Sequence, residues 1–187
     1  ARNKYLLDGI NHRCDLKGRW EAVKNMRKSW INTKGVQGVW VGYEAFGAQA
    51  DLDYFKERME VELDSFPIEE LRWPRDGEGS KDDRVQRLGP DFRAHKFFVP
   101  LDSKTLTSQQ ERCKNIGANY RISKPIKKRD SDNNIYDLSV MFKEQMMFYP
   151  FAPLKDLIDA ASRIYDMSPR PPVIIDESEL EPEATVD

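Results

Sequence analysis

Three carboxylates stand in settings where their chemistry could be used. Glu44 ends the run Val36 to Tyr43 (VQGVWVGY), which is short, rich in β-branched and aromatic residues and bounded by glycine. That is the pattern of a strand buried in a sheet. Gly47 follows, and a glycine there lets backbone or substrate come close. The Glu44 carboxylate therefore belongs at the mouth of the sheet, where open α/β sheets keep their sites. Asp156 and Asp159, three residues apart in KDLIDA, share one face in the opening turns of a predicted helix. Two readings stay open for these acids. Most glutamates and aspartates are solvated surface groups, and negative charge at a helix start is favoured by the helix dipole alone. The chemical alternative is a hard divalent cation, because Mg2+ and Mn2+ take oxygen ligands from a few carboxylates, water and phosphate.

Softer metals are excluded by the same reasoning. The histidines are His12 and His95, and Cys14 and Cys113 lie far apart without CxxC or His spacing, so no zinc set can be assembled. Both cysteines read as ordinary reduced thiols.

The elements that must carry the acids follow from periodicity. Lys4 to Ile10 is an apolar run ended by turn residues, and Leu16 to Trp30 has Leu16, Trp20, Val23 and Met26 at helical spacing, with Asp15 as N-cap. After the strand before Glu44, Ala48 to Leu63 predicts a helix with Ala48, Leu52, Phe55 and Met59 on one face. Pro67 to Trp73 predicts a strand, Ser80 to Leu88 a helix capped by Ser80, and His95 to Pro100 another strand. Leu101 to Asn134 is polar and weakly periodic, which predicts a long loop. Ile135 to Phe148 and Pro153 to Met167 predict helices. Strand and helix alternate, which argues for an α/β domain with a largely parallel sheet. Phe46 and Tyr54 read as core aromatics that could also flank a cleft.

The chain has 187 residues, 39% hydrophobic and 33% charged, with a mean hydropathy of -0.73. This suits one domain, residues 1–167, and a tail. The tail, 168–187, is Pro-rich and acidic and lacks a face to bury, which predicts disorder. No run of about 18 apolar residues and no signal-peptide layout is present, which predicts an intracellular protein with no membrane partner. The net charge of -2 hides an uneven distribution: Arg72 to Arg129 holds 15 Lys or Arg against 7 Asp or Glu, and Asp176 to Asp187 holds six acids and no base. The middle can face a polyanion while the average conceals it, although a solvated charged face has the same composition.

Taken together, Leu16-Lys17-Gly18-Arg19-Trp20, then Val41-Gly42-Tyr43-Glu44 with Gly47 and Gln49-Ala50-Asp51, then Lys81 with Arg84, and finally Tyr149-Pro150 before Asp156-Leu157-Ile158-Asp159-Ala160 form a combined pattern. In order and spacing, across roughly residues 4 to 167, it is similar to tailed-phage terminase large subunits.

That resemblance implies an RNase H-like mixed sheet flanked by helices, and an endonuclease that cuts concatemeric double-stranded DNA with Mg2+ or Mn2+ in the host cytoplasm. Glu44 matches the family's second catalytic acid, Asp156 an aspartate of its late His-Asp-Asp-x-x-Asp motif and Asp159 the motif's last position. Leu154 and Lys155 replace the motif's His and first Asp. The family's first catalytic aspartate lies on a strand preceding the one that Lys4 to Ile10 matches, so an N-terminal strand is expected to be missing, and metal binding and cleavage by this chain alone to be weak. Asp8 matches the following strand and receives no catalytic role. No GxxxxGK[ST] loop is present. The partners implied are double-stranded DNA, the terminase ATPase domain, the small terminase subunit and the portal. Lys81 and Arg84 match the family's pattern. With Arg87, Arg93, Lys96, Lys124, Lys127, Lys128 and Arg129 they are the candidates for phosphate contact, where sequence-tolerant binding rests on neutralising charge. A catalytically incomplete DNA-binding or assembly module is the alternative.

Overall fold

The structure, a computed structural model, describes residues 3–44, 49–71, 81–102, 105, 108 and 124–167. The order of elements is β1 (Lys4–Tyr5), α1 (Leu16–Ile31), β2 (Val41–Glu44), α2 (Gln49–Glu62), β3 (Ile68–Leu71), α3 (Lys81–Gln86), α4 (Gly89–Arg93), β4 (Phe97–Phe98), β5 (Lys127–Arg129), β6 (Ile135–Asp137), α5 (Leu138–Met147) and α6 (Asp156–Ser162), which a 3-10 turn over Arg163–Tyr165 extends.

The mixed α/β class holds, but the described strands form no continuous sheet. They make three separate pairs: β1 with β4 and β2 with β3, both parallel, and β5 with β6, antiparallel. β1, β2 and β4 are each shorter than the run that predicts them. The run that begins at Val36 joins a ladder only from Val41, where Ile68 comes alongside, and Trp40 just before it is exposed.

Packing divides the elements between two apolar cores. The first gathers Trp20 of α1, Phe55 and Met59 of α2 and Phe66, with Val41, Tyr43 and Ile68 packed against them. Asp15 caps α1 as its sequence predicts, accepting the Gly18 N–H at 2.7 Å, and this fixes the turn that delivers Trp20 inward. Trp20 is fully buried, stacked on Phe66 and tilted against Phe55. Helix α2 carries the chain from β2 to its parallel partner β3, the connection that parallel pairing demands. Strand alternation then sends Val41 and Tyr43 into this core and leaves Gly42 and Glu44 on the opposite face.

That opposite face meets the end of the second region. A Cβ at Gly42 would lie 2.8 Å from both Leu71 Cδ1 and Met167 Sδ, so glycine here permits a close approach. The second core is made of Val85, Leu88, Phe142 and Ile158, with Leu6, Phe92 and Phe97 against them. It joins the β1–β4 pair to α3, α5 and α6.

The reading of 101–134 as loop fails at its end. β5 and β6 form a hairpin whose turn is tied by Asp130, which accepts the N–H groups of Asp132 and Asn134 at 2.9 and 2.8 Å, with Asn133 at φ 64°. Such side-chain turns are what Asp and Asn favour. The helix expected from Ile135 starts instead at Leu138, because Asp137 caps it by accepting from Ser139 and Val140. The helix expected from Pro153 starts at Asp156. Its first free N–H groups, on Leu157 and Ile158, donate to the buried Gln145 Oε1 of α5 at 3.0 and 3.4 Å, so the cap comes from a neighbouring helix. Ser80, Phe46, Gly47, Ala48, Cys113 and the tail lie outside the described residues. Among the described residues no helix is long and apolar enough to cross a membrane.

Candidate functional site

Glu44 reaches its position because β2 ends there, pointing away from the Trp20 core. Arg84 Nη2 lies 3.9 Å from its Oε1 and Arg163 Nε 3.9 Å from its Oε2. Arg84 also grips Asp159 with two hydrogen bonds, Nε to Oδ1 at 2.9 Å and Nη2 to Oδ2 at 2.8 Å, and both side chains are buried. This fork-to-carboxylate geometry is the strongest form of the pair. Hydrogen bonding to Asp159 raises the Arg84 guanidinium above its ordinary pKa, against the opposing effect of burial. One turn away, Lys81 Nζ lies 2.5 Å from Asp156 and 4.0 Å from Asp159. Residues more than a hundred positions apart, at the end of β2 and the start of α6, are thus linked through two cations of α3.

The link is part of a longer seam. Asp156, Asp159, Arg163 and Asp166 follow one another at spacings of three, four and three, which is a single stripe along α6 and the turn after it. Lys81 and Arg84 of α3 and Arg87 in the turn after it form the facing stripe, and Arg87 Nη1 lies 2.6 Å from Asp166. Arg163 holds Asp166 as well, at 2.7 Å. On the outer edge Lys155 pairs with Asp82 at 2.9 Å. Sequence reasoning missed Arg163 and Asp166. Half of the signal was present, since Asp156, Asp159, Arg163 and Asp166 fall at helical spacing, but α3 is too short to present a facing stripe of its own.

No family model, curated protein or solved structure matches this chain.

The seam decides what the acids can offer a metal ion. Among the described residues no three Asp, Glu, His or Cys side chains gather into a set that could hold one. Asp159 gives both oxygens to Arg84, which leaves Glu44, one-third exposed, and Asp156, 65% exposed. Mg2+ keeps several waters and binds through one or two carboxylates plus substrate phosphates. Among the described residues no three-carboxylate cage is formed, and Asp156 and Glu44 each already face a cation of this chain.

The remaining candidate bases fall into two groups. Arg84 is buried, and Arg87 and Lys128 are half-buried with acidic partners, Lys128 lying 2.6 Å from Asp8. Lys96 is half-buried at the entry to β4. Arg93, Lys124, Lys127 and Arg129 are exposed. Alternation along β5 turns Lys127 and Arg129 outward and Lys128 toward Asp8, so the exposed charge of the hairpin lies on one face. Tyr54 is half-buried against the first core. Cys14 is a free thiol.

Proposed function

We propose that this chain carries the nuclease region of a tailed-phage terminase large subunit, with an RNase H-like plan, and that it cuts concatemeric double-stranded DNA using Mg2+ or Mn2+. Glu44 and Asp156 are the carboxylates that would hold the ion. Asp159 is a positioning residue, since both its oxygens fix the Arg84 guanidinium. The observation that carries this reading is the meeting of Glu44 and Asp159 on one buried arginine, with Asp156 joined to the same group through Lys81. Resemblance to the family pairs these acids, and they approach one another from separate elements.

A divalent ion supplies a water of lowered pKa and a counter-charge for the leaving oxygen. The chain's own residues supply the rest of the setting. Arg84 and Arg163 flank Glu44 with positive charge, an environment that receives a phosphodiester anion. The exposed Lys124, Lys127 and Arg129 offer phosphate contacts without sequence preference. The setting proposed is the host cytoplasm, beside the terminase ATPase domain, the small subunit and the portal.

A second reading, a noncatalytic DNA-binding or assembly module, is favoured by one observation: Asp156, Asp159 and Glu44 each already face a cation of this chain. Nicking of supercoiled plasmid in Mn2+ separates the two. Glu44→Ala and Asp156→Ala are expected to lose roughly tenfold to a hundredfold in rate or more, the scale on which metal-site residues act. Equal cleavage by all three proteins would overturn the site. No cleavage by any of them, with DNA binding retained, would favour the module.

A further inference from the structure

An open groove of about 530 Å3 is formed by the segment that enters α1, by α1 itself and by Tyr43 of β2. Its size is that of a small-molecule site. Alternation puts Tyr43 and Glu44 on opposite faces of β2, so the groove is distinct from the seam. Ile10, Ala22, Val23 and Tyr43 give it an apolar lining, Arg13 and Arg19 bring positive charge, and no Asp or Glu lines it. Arg19 is fixed in place. Its Nη2 donates to Asp51 Oδ1 at 3.0 Å, its Nε lies 2.9 Å from Asp51 Oδ2, and its Nη1 donates to the Cys14 carbonyl at 3.2 Å. A guanidinium has five N–H groups, so one on each terminal nitrogen is not engaged by these contacts. Arg13 is exposed and makes no ion pair among the described residues. Burial, and then the bond to Asp51, push the Tyr43 hydroxyl up to about 12, so it stays protonated and adds no charge.

We propose that this groove binds a small organic anion of single charge, a carboxylate with an apolar body. Two guanidiniums set against the one carboxylate of Asp51 leave one positive charge. A monoanion balances it, and a phosphate monoester, with nearly two negative charges, would overshoot. Asp15 and Lys17, which lie in the same stretch of chain without lining the groove, are of opposite sign. The two oxygens of a carboxylate match the planar fork of arginine. Arg19, anchored by Asp51, orients that group, and Arg13 adjusts to it from the solvent side. The apolar body of the ligand then covers Ile10 and Val23 and takes their surface out of water. The site does not depend on Glu44 or Asp156, so it stands apart from the nuclease reading.

The test is titration of the full 15N-labelled chain with sodium benzoate, followed through backbone amide and arginine Nε–H shifts. Sodium acetate and inorganic phosphate at equal ionic strength are the comparisons. Benzoate is expected to give saturable shifts centred on Arg13, Arg19 and Val23, and to bind roughly tenfold more tightly than acetate, which has the charge without the body. Arg13→Gln is expected to weaken benzoate about fivefold, the factor that corresponds to an exposed ion pair of ordinary strength. Ala22→Trp, which fills the groove from α1 without changing its charge, is expected to abolish the shifts. Melting by circular dichroism establishes that each variant is folded, and Arg13→Gln, at an exposed residue outside the helix, keeps the test open if Ala22→Trp is not. Shifts that fail to saturate or that spread over the whole surface would overturn the site. So would benzoate binding that is unchanged in folded Arg13→Gln. Acetate or phosphate binding as tightly as benzoate would overturn the assignment of the ligand class.

Discussion

Around the core built on Trp20, Glu62 at the end of α2 and Asp64 just after it lie at the rim and are reached by basic side chains from α1. Lys24 pairs with Glu62 at 3.0 Å, and Arg27 and Lys28 pair with Asp64 at 3.5 and 3.0 Å. In the core built on Ile158 the charge lies inside: Arg84, Asp159 and Arg163 are all buried, the first two joining α3 to α6 and Arg163 reaching Glu44 and Asp166 from the turn after α6. The first arrangement adds small, screened contributions to an apolar core that suffices without them. The second takes ions out of water, and their mutual attraction must offset the loss of hydration. A region held by apolar packing alone would have no reason to retain such a seam. Its presence at the end of β2, beside Glu44, is the reason to look for function there.

Mutations separate the two arrangements most strongly at their centres. Trp20→Ala removes a fully buried ring stacked on Phe66 and hydrogen-bonded through Nε1 to Glu62 at 3.0 Å. It is expected to lower stability by about 3–5 kcal/mol in urea unfolding. In the second region Asp159→Ala leaves Arg84 buried without its bidentate partner and is expected to cost about 3 kcal/mol. The double variant Arg84→Met/Asp159→Leu removes both charges together and is expected to recover most of that loss, ending within about 1 kcal/mol of wild type or above it. A double variant as unstable as Asp159→Ala alone would show that the seam stabilises the fold outright and would remove the contrast between the cores.

Much of the first region was legible in the sequence, because apolar residues at helical spacing and a single cap determine it. Asp15 caps α1, Trp20 and Phe55 turn inward, and β2 ends at Glu44. The seam was less legible. Asp156, Asp159, Lys81 and Arg84 were separately visible as candidate ligands and phosphate contacts, but nothing local in a sequence tells a charge that faces water from one that faces an opposite charge 75 residues away. Only matched stripes on two helices carry that information, and α3 is six residues long, too short for a stripe to stand out. The hairpin and the start of α6 were hidden for related reasons. The turn is tied by Asp130 within a polar stretch, and the cap of α6 is the Gln145 side chain, twelve residues earlier on another helix.

The smallest expected effect belongs to the rim and carries a sign that can be checked. The Glu62 carboxyl is held at about 2, below its ordinary 4.5, first by the hydrogen bond from the Trp20 indole and then by those from Lys24 and Arg58. A carboxyl lowered by folding contributes stability that is fully present above its unfolded value and is lost as the pH falls through its folded value. The window is therefore pH 4.5 down to about 2. Across it the melting temperature of wild type is expected to fall more steeply than that of Glu62→Gln, which has no charge to lose. Because the pair lies at the rim, the difference between the two slopes is expected to narrow in roughly 1 M NaCl, where screening reaches across a few ångströms. Identical slopes in low salt would mean that the lysine and the indole contribute nothing through the charge of Glu62. The first core would then owe nothing to the rim charge of Glu62, which would widen its contrast with the buried seam.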